Sequence, residues 1–85
     1  MTDIRNHLFI RITYVVMTGY FYKFKLYGSI AQSIRGYKNA RKAIEKALAE
    51  ADELQIWYEK IRVIGDLDKP TKEWLAKLQH ERGEI

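Results

Sequence analysis

The chain has no cysteine, a single proline and only five glycines among its 85 residues. The missing cysteine excludes disulfides and thiolate metal sites and fits a reducing, cytoplasmic setting. Long hydrophobic runs are missing too. The longest apolar stretch, Leu8 to Leu26, is interrupted by Arg11, Lys23 and Lys25. A membrane-spanning helix needs about 20 mainly apolar residues, so no membrane anchor is expected. No segment resembles a secretory signal. Acidic residues are scarce in one half of the chain. Residues 1–42 hold eight Lys/Arg against one acid, a net +7, whereas residues 43–85 hold seven against ten, a net −3. A one-sided basic field attracts polyanions and steers their approach. Simple solubility is the plainer reading of the same charge.

Eighty-five residues specify one domain with a small core, because a chain of this size buries only about 60–65% of its extended surface. Apolar residues make up 47% and aromatic residues 13% of the chain, which suits a folded globule rather than a disordered tail. No internal repeat or low-complexity tract is visible. The chain divides into a sheet half (1–36), a helix (37–65), and a loop with a C-terminal helix (66–85).

Residues 7–16, HLFIRITYVV, are β-branched and aromatic and alternate with period two. Leu8, Ile10, Ile12, Tyr14 and Val16 share one face, and His7, Phe9, Arg11, Thr13 and Val15 the other. MTG at 17–19 reads as a turn in which Gly19 takes positive φ. The second strand, YFYKFKLY (20–27), sets Tyr20, Tyr22, Phe24 and Leu26 against Phe21, Lys23, Lys25 and Tyr27. Gly28 and Ser29 reverse the chain again. A third strand over about 30–35 places Ile30, Gln32 and Ile34 opposite Ala31, Ser33 and Arg35.

One face of three antiparallel strands must be covered. The cover begins at Asn39, a natural N-cap. Ala40, Ala43, Ile44, Ala47, Leu48, Ala51 and Leu54 then form one helical stripe. Neither glycine nor proline breaks the chain before Gly65, and Tyr58 and Ile61 extend the stripe, so the periodicity predicts a long helix ending near Ile64. Gly65 would be its C′ residue. The alternative is a fourth strand at 60–64, drawn from Ile61, Val63 and Ile64. Pro70 falls in the first turn of a last helix, about 70–82, striped by Trp74, Leu75 and Leu78. The expected fold is therefore α+β: a three-stranded antiparallel sheet backed by a long amphipathic helix and followed by a short one, β-β-β-α-α.

The uncovered sheet face is the candidate site. It would show Phe9, Arg11 and Thr13, then Phe21, Lys23, Lys25 and Tyr27, then Ser33 and Arg35. Cations interleaved with flat rings suit nucleic acid, since cations neutralise phosphates while rings stack on bases or pack on sugars. A small sheet also enters the major groove. Two structural alternatives remain: the rings pair across strands and shelter lysine stems, or the face is covered by the C-terminal helix or another subunit. Lys38, Arg41 and Lys42 crowd the helix start, where free N–H groups attract anions, and Arg35 lies just upstream. An ordinary solvated basic turn is the plain alternative there.

Catalytic chemistry finds no foothold. His7 and His80 sit in different elements, Asp66 and Asp68 read as turn formers, and Gly28, Gly36 and Gly65 form no phosphate loop. No enzyme activity, metal or cofactor is expected.

Residues 20–51, YFYKFKLYGSIAQSIRGYKNARKAIEKALAEA, resemble two small modules. One is the arm-type DNA-binding domain at the N-terminus of phage tyrosine integrases, a three-stranded sheet backed by a helix. Tyr22, Phe24 and Lys25 match its aromatic/basic strand, Gly36-Tyr37 its Gly-aromatic step, and Ala43 its alanine-rich helix. That resemblance implies sheet insertion in the major groove, with base contacts from Lys23, Lys25 and Arg35. It also implies a phage or mobile-element setting. The other is the YegP-like domain, with a similar FKL…QS.GY run and normally a strand after the helix. The chain departs from the integrase pattern in its long first strand and in carrying no catalytic domain, so accessory DNA binding rather than recombination is expected.

The reading is thus a non-enzymatic protein that binds nucleic acid, DNA in preference to RNA. Arg11, Lys38, Arg41 and Lys42 would contact phosphates. Lys23, Lys25 and Arg35 would reach bases or sugars, with Phe21 and Tyr27 as stacking surfaces. The rival reading is a small inhibitor or adaptor that binds a nucleic-acid-processing complex, because aromatic residues and arginine also make protein hot spots. Self-association as a homodimer, through an edge strand or the Trp57/Trp74 region, is compatible with either.

Overall fold

The computed structural model describes residues 7–26, 29–55 and 58–83. Alternation builds the first hairpin as expected. Strands β1 (His7–Val15) and β2 (Gly19–Leu26) pair antiparallel. The turn closes with the Thr18 N–H donating to the Val15 carbonyl at 3.0 Å, with Met17 at φ 66° and Gly19 at φ 113°. Glycine is required at position 19, because a Cβ would stand 2.6 Å from the Tyr37 carbonyl oxygen. Leu8, Ile10 and Ile12 face the core with Tyr22, Phe24 and Leu26. Phe9, Arg11 and Thr13 pair with Lys25, Lys23 and Phe21 on the other side.

The third strand differs from expectation. β3 spans only Ser29–Gln32, and its register sets Ile30 beside Lys25 and Gln32 beside Lys23. Ile30 and Gln32 therefore stand on the lysine side, where Ser33 and Arg35 were expected. Ser33 turns back to β2: its backbone N–H donates to the Tyr22 carbonyl (2.9 Å) and its hydroxyl accepts from the Tyr22 N–H (3.0 Å). The chain then returns along β2, where Tyr37 bridges Tyr20.

Helix α1 (Ala40–Glu53) starts where its cap predicts, with Asn39 Oδ1 accepting from the Lys42 N–H at 2.9 Å. It buries Ala40, Ala43, Ile44, Ala47 and Ala51. Four of these five are alanines, which let the helix lie close on the sheet. The long helix to Ile64 is not formed. Leu54 caps α1, Gln55 adopts φ 57°, and Lys60–Gly65 form β4. β4 pairs in parallel with β1, Leu8 beside Ile61 and Arg11 beside Ile64. The sheet is therefore mixed and four-stranded, in the order β3-β2-β1-β4, and the three-stranded antiparallel expectation gives way to its four-strand alternative. The reason is non-local. A helix carried to residue 64 would run on for about 37 Å at 1.5 Å per residue, longer than the sheet it covers. It would also leave the second edge of β1 without backbone partners. Pairing with β4 satisfies that edge and buries Ile61 almost completely.

Gly65 is not the C′ residue of a helix. It ends β4 at φ 116°, and a Cβ there would lie 2.0 Å from the Ile12 carbonyl oxygen. The same carbonyl accepts from the Asp66 N–H at 2.9 Å, while Asp66 Oδ2 accepts from the Tyr14 N–H at 2.8 Å. Helix α2 (Lys69–Glu81) carries Pro70 in its first turn and buries Thr71 and Leu75. Trp74 packs against the core, and the Arg41 guanidinium of α1 lies 4.9 Å from its ring centroid. Gln79 donates to the Ile61 carbonyl at 2.7 Å. Both helices thus sit on one face of the sheet.

Candidate nucleic-acid interface

The pairing registers fix the composition of the uncovered face. From β4 across to β3, one row reads Arg62, Phe9, Lys25, Ile30, and the next reads Ile64, Arg11, Lys23, Gln32. Thr13 and Phe21 continue it toward the hairpin. Arg11, Lys23, Lys25 and Arg62 are all exposed. None of the four strands contains an aspartate or glutamate, so the cations of this face have no acid within their own sheet. Alternation gathers the cations on one side, since side chains two apart point the same way, and the strand sequences themselves lack acids.

Between the charges lies apolar surface. Phe9 is 40% exposed, Ile64 55% and Ile30 61%. Together with Arg11, Lys23 and Lys25 they line a shallow depression of about 360 Å³. Phe21 is half-buried, and Tyr27 lies outside the described residues, as do Gly28 and Trp57.

The other predicted cations do not join this face. Tyr37 shares the core side of the sheet with its bridge partner Tyr20 and packs against the core. The Arg35 guanidinium lies 5.4 Å from the Tyr37 ring centroid. Arg35, Tyr37, Lys38, Lys42, Glu45 and Lys46 surround a second concavity, of about 440 Å³. The helix start is therefore a separate basic cluster on the helix side, and Arg35 belongs to it. Arg41 is engaged elsewhere, paired with Glu45 at 2.9 Å and set over Trp74.

Sequence reasoning missed Arg62, Ile64 and Ile30 on the open face and Lys46 in the helix cluster. Arg62 and Ile64 were hidden inside the expected helix; the signal was the alternation Lys60-Ile61-Arg62-Val63-Ile64, which fits a strand as well as a stripe. Ile30 was lost through the inverted facing of β3.

On the helix side of the sheet a tyrosine hydroxyl meets a carboxylate. The Tyr22 hydroxyl donates to Glu50 at 3.1 Å. Burial first, then the Glu50 carboxylate, pushes its pKa up to about 12. His7 is buried and its Nε2 has no hydrogen-bond partner among the described residues, while His80 is exposed on α2. Among the described residues no three histidine, aspartate or glutamate side chains converge on a common point, and no helix is long and apolar enough to cross a membrane.

No family model matches the chain, and neither does a curated protein or a solved structure. The resemblance of residues 20–51 to the two small modules rests on the motifs quoted above.

Proposed function

We propose that this chain is a non-enzymatic accessory or regulatory protein that binds nucleic acid, duplex DNA foremost, through the bare face of its sheet. The observation that carries this reading is the set of four exposed cations, Arg11, Lys23, Lys25 and Arg62, on a face whose strands hold no acid. Cations gathered on one acid-free face neutralise phosphates, and each neutralised phosphate releases condensed counterions. In this reading Lys23 and Lys25 of β2 and Arg11 and Arg62 of β1 and β4 all neutralise phosphates along the edges of a groove, and Phe9 packs against sugar. Lys23→Glu combined with Lys25→Glu tests it in a gel shift with a short duplex. Affinity falls at least about tenfold at low salt, because two attractive contacts become repulsive, while the circular dichroism spectrum is unchanged.

One observation favours a second reading. Ile30, Ile64 and Phe9 expose apolar surface beside the cations, which suits an acidic partner protein of a nucleic-acid-processing complex. In that case the unmodified protein ignores duplex at low salt and is captured by such a partner through the same lysines.

A further inference from the structure

The two basic clusters lie on opposite sides of one sheet. Arg11, Lys23, Lys25 and Arg62 stand on the bare side, whereas Arg35, Lys38, Lys42 and Lys46 ring a concavity on the helix side beside Tyr37. We propose that the chain bridges two duplex DNA segments, one held on each side; this rests on the nucleic-acid reading of the sheet face. Two observations support a second site. Its cations gather around a concave surface rather than scattering over the helix. Among the described residues none of the four takes part in an ion pair, and the carboxylate in the concavity, Glu45, is already engaged by Arg41. Asn39 takes up only the Lys42 N–H among the first N–H groups of α1; the side chains of the concavity would hold an anion, with the Tyr37 ring and the Arg35 guanidinium as one wall.

Duplex stiffness decides between one ligand and two. The molecule measures 42 × 26 × 20 Å, whereas a duplex resists bending over about 150 base pairs. A duplex lying on the sheet face therefore runs straight past the body and does not curl round to the helix side. The second cluster is free for a second duplex, and the sheet between them keeps the two polyanions apart.

Bead-immobilised duplex is incubated with the protein and a free, labelled duplex. The unmodified protein retains the label on the beads, and Lys42→Glu with Lys46→Glu removes that retention while lowering affinity for a single short duplex less than about threefold, the sheet-face contacts being intact. Lys23→Glu with Lys25→Glu also removes retention. If the unmodified protein binds one duplex, sensitively to Lys23 and Lys25, yet retains no label, bridging is wrong and the sheet-face reading stands. If retention survives Lys42→Glu with Lys46→Glu, bridging by a single chain is wrong, and two copies each presenting a sheet face account for it. If no duplex binds at low salt, both proposals fall together.

Discussion

Arg11 and Lys23 face each other directly across the β1–β2 ladder, and no strand of the sheet supplies an acid to separate them. Like charges directly opposite on a sheet are destabilising. A fold that keeps them side by side carries a local repulsion that a bound polyanion removes. Lys23→Glu turns the pair into an attractive one, so the free protein gains roughly 0.2–1 kcal/mol while losing affinity for duplex. Thermal melts and gel shifts on the same variant check both halves. A variant that is less stable, or that binds as before, contradicts the functional reading of the pair.

The turn out of β4 depends on glycine for two reasons, positive φ and the close approach of the Ile12 carbonyl. Gly65→Ala meets both penalties and costs about 2–4 kcal/mol of stability in urea unfolding. Had Gly65 merely ended a long helix, alanine there would cost about 1 kcal/mol.

Much of this architecture could be read from local pattern. The hairpin, the Asn39 cap, the alanine stripe and Pro70 opening α2 are each set by neighbours a few residues apart. What escaped depends on distant partners. Residues 60–65 fit a helical stripe and a strand equally well, and only pairing with β1, some fifty residues earlier, decides between them. The site suffered from the same limit. Lys23, Lys25 and Arg11 share a face because alternation says so, but Arg62 joins them only through the parallel register. Ile30 takes the place expected for Arg35 because the register with β2 sets it beside Lys25, which no residue of β3 announces.

The Tyr22 hydroxyl, buried and bonded to Glu50, makes stability depend on alkaline pH. Its folded pKa lies above the unfolded value of 10.0. The proton is therefore held more tightly in the folded state, and the associated stabilisation is complete below pH 10.0 and lost as pH rises toward about 12. Denaturation followed by ultraviolet tyrosinate absorbance shows this decline, and Tyr22→Phe makes the profile flatter over that window.

Asn39 fixes the first turn of α1 and with it the position of Lys42 beside Lys38. Asn39→Ala costs about 1 kcal/mol of stability, read from urea midpoints. It also weakens retention of a second duplex more than binding of the first, because the sheet face is untouched.

Binding of a short duplex to the sheet face, measured across a salt series with the Lys42→Glu/Lys46→Glu background to silence the helix cluster, tests the central claim most directly. Four phosphates neutralised by Arg11, Lys23, Lys25 and Arg62 give a slope of log K against log salt of about −3.6, and restoring neutrality at two of those positions halves it. A slope near zero, or a slope unchanged by Lys23→Gln with Lys25→Gln, contradicts the account.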